Sequence, residues 1–254
     1  MSSNKVLVTG ANGQLGQELQ RLNPPHYQFA DKSELDISDR SSMITYFETH
    51  NFDIVVNCAA YTAVDRAEED VEECTKVNVT AVKNLTEICA KTNTRLIHIS
   101  SDYVYHPDHE LPSHEEDLCN PSGIYAKSKL KGEQEIFRRM EEAIVIRTSW
   151  VYSTFGNNFV KSMLRLGKSK PVLRIVDDQI GSPTYAADLA SAIIQIINHG
   201  GGAGIYNYSN LGFISWYEFA KAIFKISNVS VELEPIPSKS YPTLSPRPKN
   251  SRLI

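Results

Sequence analysis

"VLVTGANGQLGQEL", from Val6 to Leu19, decides the fold. A short aliphatic, β-branched run reads as a strand. Gly10, Gly13 and Gly16 follow at G-x-x-G-x-x-G spacing, and Leu15, Leu19 and Leu22 then recur on one face of a helix. Strand, glycine turn and helix in that order are a variant of the dinucleotide-binding fingerprint. Its glycines let the backbone turn tightly, approach a pyrophosphate and pack the helix against the strand. The helix N-terminus behind the turn offers unpaired N–H groups and the positive end of a dipole to phosphate.

Outward from this turn, short apolar runs alternate with longer amphipathic ones. "KVLVT", "YQFA", "DIVVNC", "RLIHIS" and "AIVIRT" read as strands, and Val77, Ala81, Leu85 and Ile88 form a second helical stripe between them. Each crossover is long enough for the right-handed connection of parallel strands. The fold class is therefore α/β, a Rossmann-like, doubly wound parallel sheet. The expected division is a dinucleotide-binding domain over residues 1–150 and a smaller, mainly substrate-binding region over 151–254. Past Thr148 the texture changes: "NNFVKSMLRLG" and "YAADLASAIIQII" read as helices and "GIYNYS" as a strand. The segment "PIPSKSYPTLSPRPKN" is rich in proline and serine and reads as an ordered surface segment or an interaction arm.

Bulk properties narrow the class of partner. A net charge of -4 over 254 residues, with 22% charged residues, carries no basic excess for nucleic acid. No apolar run reaches membrane-spanning length, and "MSSNKVLVTGANG" carries no signal-peptide pattern, so a cytoplasmic location is expected, with neither membrane nor nucleic acid as a partner. Cys58, Cys74, Cys89 and Cys119 lack any C-x-x-C pair, so reduced thiols are expected rather than a zinc site or a disulfide framework.

The fingerprint calls for an acidic residue about 20 positions beyond the first glycine, to hold the adenosine ribose hydroxyls. Asp31 in "FADKSELD" fits, and its neighbour Lys32 suits a 2′-phosphate, so NADH and NADPH both stay open. "NPSGIYAKSKLKGE" then places Tyr125 and Lys129 one helical turn apart on one face. A phenol near pKa 10 is a poor acid or base at neutral pH, and a neighbouring ammonium is expected to lower that value. Ser101 in "HISSDYVY" follows a strand at the carboxyl edge, where α/β sheets place ligands, and its hydroxyl can donate to a carbonyl. Ala126, Leu130 and Phe137 form a separate apolar stripe, which leaves the Tyr/Lys pair free for chemistry.

Gly10, Gly13, Gly16, Ser101, Tyr125 and Lys129 together resemble the extended short-chain dehydrogenase/reductase superfamily, which binds NAD(P) on a Rossmann sheet and uses a Ser/Thr-Tyr-Lys triad. "NCAAYTAVDRAE", "ISSDYVY", "RTSWVY", "NNFVKSMLRL", "VDDQIGSPTY" and "GIYNYSN" are similar, in order, to the dTDP-4-dehydrorhamnose reductase family over nearly the whole chain. The resemblance implies NAD(P)H-dependent reduction of the C4 ketone of dTDP-4-dehydro-L-rhamnose, the last step of dTDP-L-rhamnose biosynthesis. It implies Gly13, Gln14 and Leu15 along the pyrophosphate, Asp31 at the ribose, Asp36 and Ile37 beside adenine, and Ala60, Tyr61 and Thr62 flanking the cofactor. Tyr125 would be the proton donor and Lys129 its electrostatic partner; Ser101 and Asp102 would contact the sugar, and Trp150 would pack against it. Serine stands at 101 where the family more often has threonine; the hydroxyl is kept. Lys161, Arg165, Lys168, Arg247 and Arg252 are candidate cations for the substrate diphosphate.

The family usually continues past a segment like "RPKNSRL" into a closing helix, whereas this sequence ends at Ile254. Its metal-linked dimer draws on acidic residues partly in that region, so no metal site is expected and a homodimer is left open. Two other readings share the motifs. A sugar-nucleotide epimerase or dehydratase would keep its cofactor bound through the cycle, and a dehydratase would place a glutamate after Asp102, where Tyr103 stands. A non-catalytic regulatory subunit, like that of methionine adenosyltransferase, would act through a partner.

Overall fold

The computed structural model describes residues 4–107 and 110–254. The first half alternates strand and helix as its periodicity predicts: β1 (Val6–Thr9), α1 (Gln14–Leu22), β2 (Tyr27–Ala30), α2 (Arg40–Thr49) and β3 (Ile54–Asn57). A short α3 (Val71–Thr75) runs through a π-helical segment, Lys76–Ala81, into α4 (Val82–Lys91), followed by β4 (Arg95–Ser101), α5 (Ile124–Phe137) and β5 (Ile144–Thr148). Beyond these come β6 (Val151–Tyr152), α6 (Phe159–Gly167), β7 (Val172–Val176), β8 (Ile180–Gly181), β9 (Thr184–Tyr185) and α7 (Ala186–His199). The chain closes with β10 (Gly204–Tyr208), β11 (Ile214–Ser215), α8 (Trp216–Ser227), β12 (Glu232–Ile236) and β13 (Asn250–Ser251).

The main sheet has the order β10-β5-β4-β3-β1-β2, and all of its pairings are parallel. Both faces are covered, so the strands are nearly continuous in apolar residues, as buried parallel strands must be. Alternate residues still part to opposite faces. Leu7, Val55, Leu96 and Val145 meet α2, α4 and α5 through Met43, Phe47, Leu85 and Ile136, while Val8, Val56, Ile97 and Ile146 meet α1 and α7 through Leu19, Leu189 and Ile193. Of the predicted α1 stripe, Leu15 and Leu19 are buried, but Leu22 ends the helix 41% exposed.

Residue 150 does not divide this sheet. β10 pairs with β5, and α7 packs beside α1, so the second region supplies the sixth strand and one covering helix. The rest of that region surrounds its own cluster, in which Met163, Phe219, Ile223 and Phe224 gather Trp150, Phe159 and Trp216. Its proline-rich segment is held against the first region: Arg247 reaches Asp65 at 2.5 Å and the Ser245 hydroxyl donates to Glu68 at 2.8 Å.

Two glycines show why the opening turn is spelled as it is. Gly10 has φ +68°, and a β-carbon there would stand 2.6 Å from the Ala59 nitrogen; at Gly16 it would stand 2.5 Å from the Gly10 carbonyl. Both positions have backbone against them, which cannot swing aside. Gly16→Val should therefore cost about 2 kcal/mol or more, read as a lower urea midpoint without any ligand. Gly13→Ala, whose added carbon would meet the Gly10 carbonyl oxygen at 3.2 Å, should lower the midpoint by much less than Gly16→Val does.

Candidate active site

The order of the strands reverses beside β1, and the crevice at such a switch point, outside the carboxyl ends, is where open α/β sheets take ligands. The Gly10 turn, the loop after β3 and the end of β4 all meet there. α1 starts at Gln14 behind Gly13, with no side chain capping its first N–H groups and no acidic residue in its first turn. Free N–H donors on a glycine cradle that no β-carbon fills suit a pyrophosphate. Gln14 is tied to the second region, its Oε1 accepting from Asn158 at 2.8 Å.

Asp31 stands one residue past β2 and is half-buried, its carboxylate accepting from the Ser33 hydroxyl at 2.6 Å and the Asn12 amide at 2.5 Å. The Ser33 hydrogen bonds hold its carboxyl below the ordinary range. Lys32 lies within 3.9 Å of both Asp36 and Glu73. The Asp36 carboxylate accepts from the Ser38 N–H at 2.8 Å, and Ile37 is buried in the core beneath α2. Ala60, Tyr61 and Thr62 follow β3, and the loop is pinned by a residue the sequence did not reveal. Asn78, buried in the π-helical segment, accepts from the Tyr61 N–H at 2.9 Å and donates to the Tyr61 carbonyl at 3.1 Å and to Ser128 at 3.0 Å. The π-turn, a feature that often marks functional positions, thus clamps this loop to α5.

α5 begins at Ile124, whose N–H donates to the Glu68 carboxylate at 2.9 Å, so a side chain from a distant loop caps the helix. Tyr125 and Lys129 both project inward and are only 8% and 2% exposed. Tyr125 packs edge-on against Tyr103, with ring centroids 5.6 Å apart, and its phenol faces Ser101 at the end of β4. Ser101 in turn donates to Asp102 at 3.0 Å and accepts the Tyr103 N–H at 3.2 Å. Lys129 Nζ donates to the Ile99 carbonyl at 2.7 Å and sits 3.3 Å from His98 Nε2.

The expectation that Lys129 lowers the phenol is not met in this structure. Burial pushes Tyr125 up to about 12, with only the nearby Ser101 hydroxyl opposing. The lysine is turned to the Ile99 carbonyl, and burial brings Lys129 itself down to about 8. The site therefore presents a fully protonated phenol, as a proton donor requires. Asp102 is also buried, 4% exposed, and burial pushes its carboxyl up to about 6 against the hydroxyls of Ser251 and Ser101.

Trp150 has φ 45°, a left-handed conformation that a bulky residue adopts at a cost. Its ring stacks on Trp216 at 3.5 Å between centroids, and Gly181 lies against the same indole, where a β-carbon would not fit. Of the candidate cations, Arg247 is engaged by Asp65, Arg252 by Asn250 and the Glu110 carbonyl, and Lys161 by the Thr154 carbonyl. Arg165 and Lys168 lie exposed on and just after α6.

A family model described as RmlD substrate binding domain matches residues 4–254. The chain is 38% identical to dTDP-4-dehydrorhamnose reductase of Aggregatibacter actinomycetemcomitans, over 98% of this chain and 90% of that one. It is 41% identical to the spore coat polysaccharide biosynthesis protein SpsK of Bacillus subtilis, over 98% and 88%. The crystal structure of dTDP-4-dehydrorhamnose reductase from Bacillus anthracis, in complex with NADP, superposes with a TM-score of 0.96 at 38% identity, over 99% of this chain and 90% of that one. The chain belongs to the dTDP-4-dehydrorhamnose reductase family. Its members' shared fold accounts for the Rossmann-like sheet, and no helix among the described residues is long and apolar enough to cross a membrane.

Asp102 gives a stability test that is independent of turnover. A carboxyl whose folded-state value lies above its unfolded one weakens the fold at high pH, and the penalty disappears as pH falls through the folded value toward the unfolded one. Asp102→Asn should accordingly gain on the order of 2 kcal/mol over the parent near pH 8 in urea unfolding, a gain that fades below about pH 4.

Proposed function

We propose that this protein reduces the C4 ketone of dTDP-4-dehydro-L-rhamnose to dTDP-L-rhamnose with NADPH or NADH. The observation that carries the reading is the convergence of Ser101, Tyr125 and Lys129 on the crevice beside the Gly10 turn, in a chain of this family. The backbone N–H groups of Gln14 and Leu15 would hold the pyrophosphate with Gly13 alongside it, Asp31 would hold the adenosine ribose, and the loop Ala60–Thr62 would line the nicotinamide side. The bound nicotinamide supplies a hydride to the carbonyl carbon. Every other part falls to side chains. Tyr125 gives its proton to the ketone oxygen and is left as a phenolate. Ser101 turns its hydroxyl from Asp102 to that oxygen, where the negative charge develops. Lys129, in its ammonium form, stabilises the phenolate until a proton returns.

Burial suits this chemistry in the reducing direction, since it keeps the phenol protonated before substrate arrives. Trp150, beside the crevice, would pack against the sugar once its stack on Trp216 makes room, and the cytoplasm is the expected setting for a nucleotide-sugar substrate. A homodimer is the assembly to look for in solution.

The direct test is oxidation of NADPH and of NADH with dTDP-4-dehydro-L-rhamnose as acceptor; no oxidation of either would overturn the reading. Tyr125→Phe should lower kcat by about 10²–10⁴-fold while the affinity for NADPH, measured by fluorescence titration, stays near that of the parent.

A further inference from the structure

Lys129 is in contact with a polar rung that crosses the sheet, and the reductase chemistry above does not use it. Thr9 ends β1, Asn57 ends β3 and His98 lies in β4; the register pairs Thr9 with Asn57 and Asn57 with His98, so all three side chains share the α5 face. All three are buried, at 0%, 0% and 1% exposure. The Asn57 Oδ1 accepts from the Thr9 hydroxyl at 2.7 Å and from the Ala59 backbone N–H at 3.2 Å. A backbone N–H can only donate, so it identifies that atom as the oxygen. The Asn57 amide nitrogen is then the atom facing His98 Nδ1, at 3.0 Å, and Nδ1 must accept. A neutral imidazole that accepts at Nδ1 carries its proton on Nε2, the nitrogen 3.3 Å from Lys129 Nζ.

We propose that His98 is a positioning residue for Lys129: the Thr9–Asn57–His98 rung holds the imidazole as its Nε2–H tautomer, with that N–H aimed at the lysine nitrogen and opposing its ammonium form. An N–H is welcome to an amine lone pair and unwelcome to an ammonium. The ammonium loses this repulsion only if the imidazole proton moves to Nδ1 and the Asn57 amide turns over, which gives up the Ala59 hydrogen bond. Lys129 is thereby a group whose charge responds to pH, and the rung that sets it begins at the residue before Gly10.

The surroundings support this assignment. Burial keeps His98 well below the ordinary imidazole range and brings Lys129 down to about 8. Of the titratable groups that act on Lys129, Cys74 comes from α3, Glu133 from α5 itself and His98 from β4. Glu133 favours the ammonium, but its carboxylate is taken by Arg147 at 2.6 Å and by the Ser100 hydroxyl. The Cys74 thiol is held protonated by burial. His98 is the one of these groups whose contact with Nζ depends on a tautomer.

The proposal rests on the reductase reading for its role in turnover, but the tautomer can be read without it. In protein labelled with ¹⁵N-histidine, the His98 signals, assigned by their loss in His98→Gln, should above the lysine's titration show an Nδ1 without a proton and an Nε2 with one. An Nδ1–H tautomer there would overturn the proposal. In the NADPH oxidation assay, His98→Gln places an amide that can turn its oxygen to the ammonium, so the alkaline limb of the kcat profile should move up by about one pH unit. A lower melting temperature with an unmoved limb would mean a merely structural residue. Should that variant not fold, Thr9→Val, which loosens the Asn57 amide, should move the limb the same way by less, and an unmoved limb there would also overturn the proposal. Failure of the reductase assay in the parent with an Nε2–H tautomer intact would count against the substrate reading and leave the rung standing.

Discussion

The parallel register of β1, β3 and β4 is the constraint on which the rest depends. It brings the carboxyl ends of the three strands to one crevice, sets the Gly10 turn against Ala59, and lines Thr9, Asn57 and His98 up across the buried sheet. A slip of one residue in β4 would turn His98 to the α1 face and move Ser101 away from Tyr125. Such a slip would also drive apolar Ile97 and Ile99 toward α5, so the hydrophobic pattern of the strand and the geometry of the site enforce the same pairing. Packing and chemistry are not separate requirements here.

α5 is held to match. Its first N–H is capped by Glu68, its Ser128 is gripped by Asn78, and its Glu133 forms an ion pair with Arg147, both 2% exposed. A buried ion pair contributes little net stability, because desolvation offsets the attraction, but breaking one partner is costly. The pair, closed further by the Ser100 hydroxyl and the Arg147 guanidinium over the Tyr105 ring at 4.7 Å, therefore ties the helix to β4 and β5 more as a specifier of position than as a source of stability. Gly132 adds a steric demand: a β-carbon there would run into the Asn78 carbonyl, so the close approach of helix and π-turn excludes any larger residue. Three independent contacts fix the helix that carries Tyr125 and Lys129.

What could be read in the sequence follows from how local each cause is. The glycine turn was legible because φ and close approach at Gly10 and Gly16 restrict residue type whatever lies elsewhere. The Tyr125/Lys129 pair was legible as spacing on a helix, but the direction of the phenol's shift was not, since it depends on burial and on an Ile99 carbonyl that draws the lysine aside. "GIYNYS" was recognisable as a strand, while nothing in its residues named β5 as its neighbour, and the boundary at residue 150 consequently cut through the sheet. Arg247 read as a free cation because Asp65, 182 positions away, could not be paired with it by pattern. The family resemblance, by contrast, rested on strings in the second region, where local pattern says least about chemistry and comparison says most.

The rung is hard to see in the sequence for a related reason. A threonine, an asparagine or a histidine inside an apolar strand is, taken alone, an ordinary satisfied core residue, and each of "VLVT", "IVVN" and "RLIHIS" contains only one until β4 reaches its terminal serines. The signal lies in their phase. Thr9 follows Leu7 by two, Asn57 follows Val55 by two and His98 follows Leu96 by two, so each polar residue extends the same α5-facing set one step toward the carboxyl edge. Three adjacent strands that turn polar at the same step on the same face are spending core positions on a hydrogen-bonded chain, and burial makes such a chain costly unless every member is paired. Every member here is paired, and the chain ends at the lysine. That is a reason to read it as part of the site rather than as incidental polarity in the core.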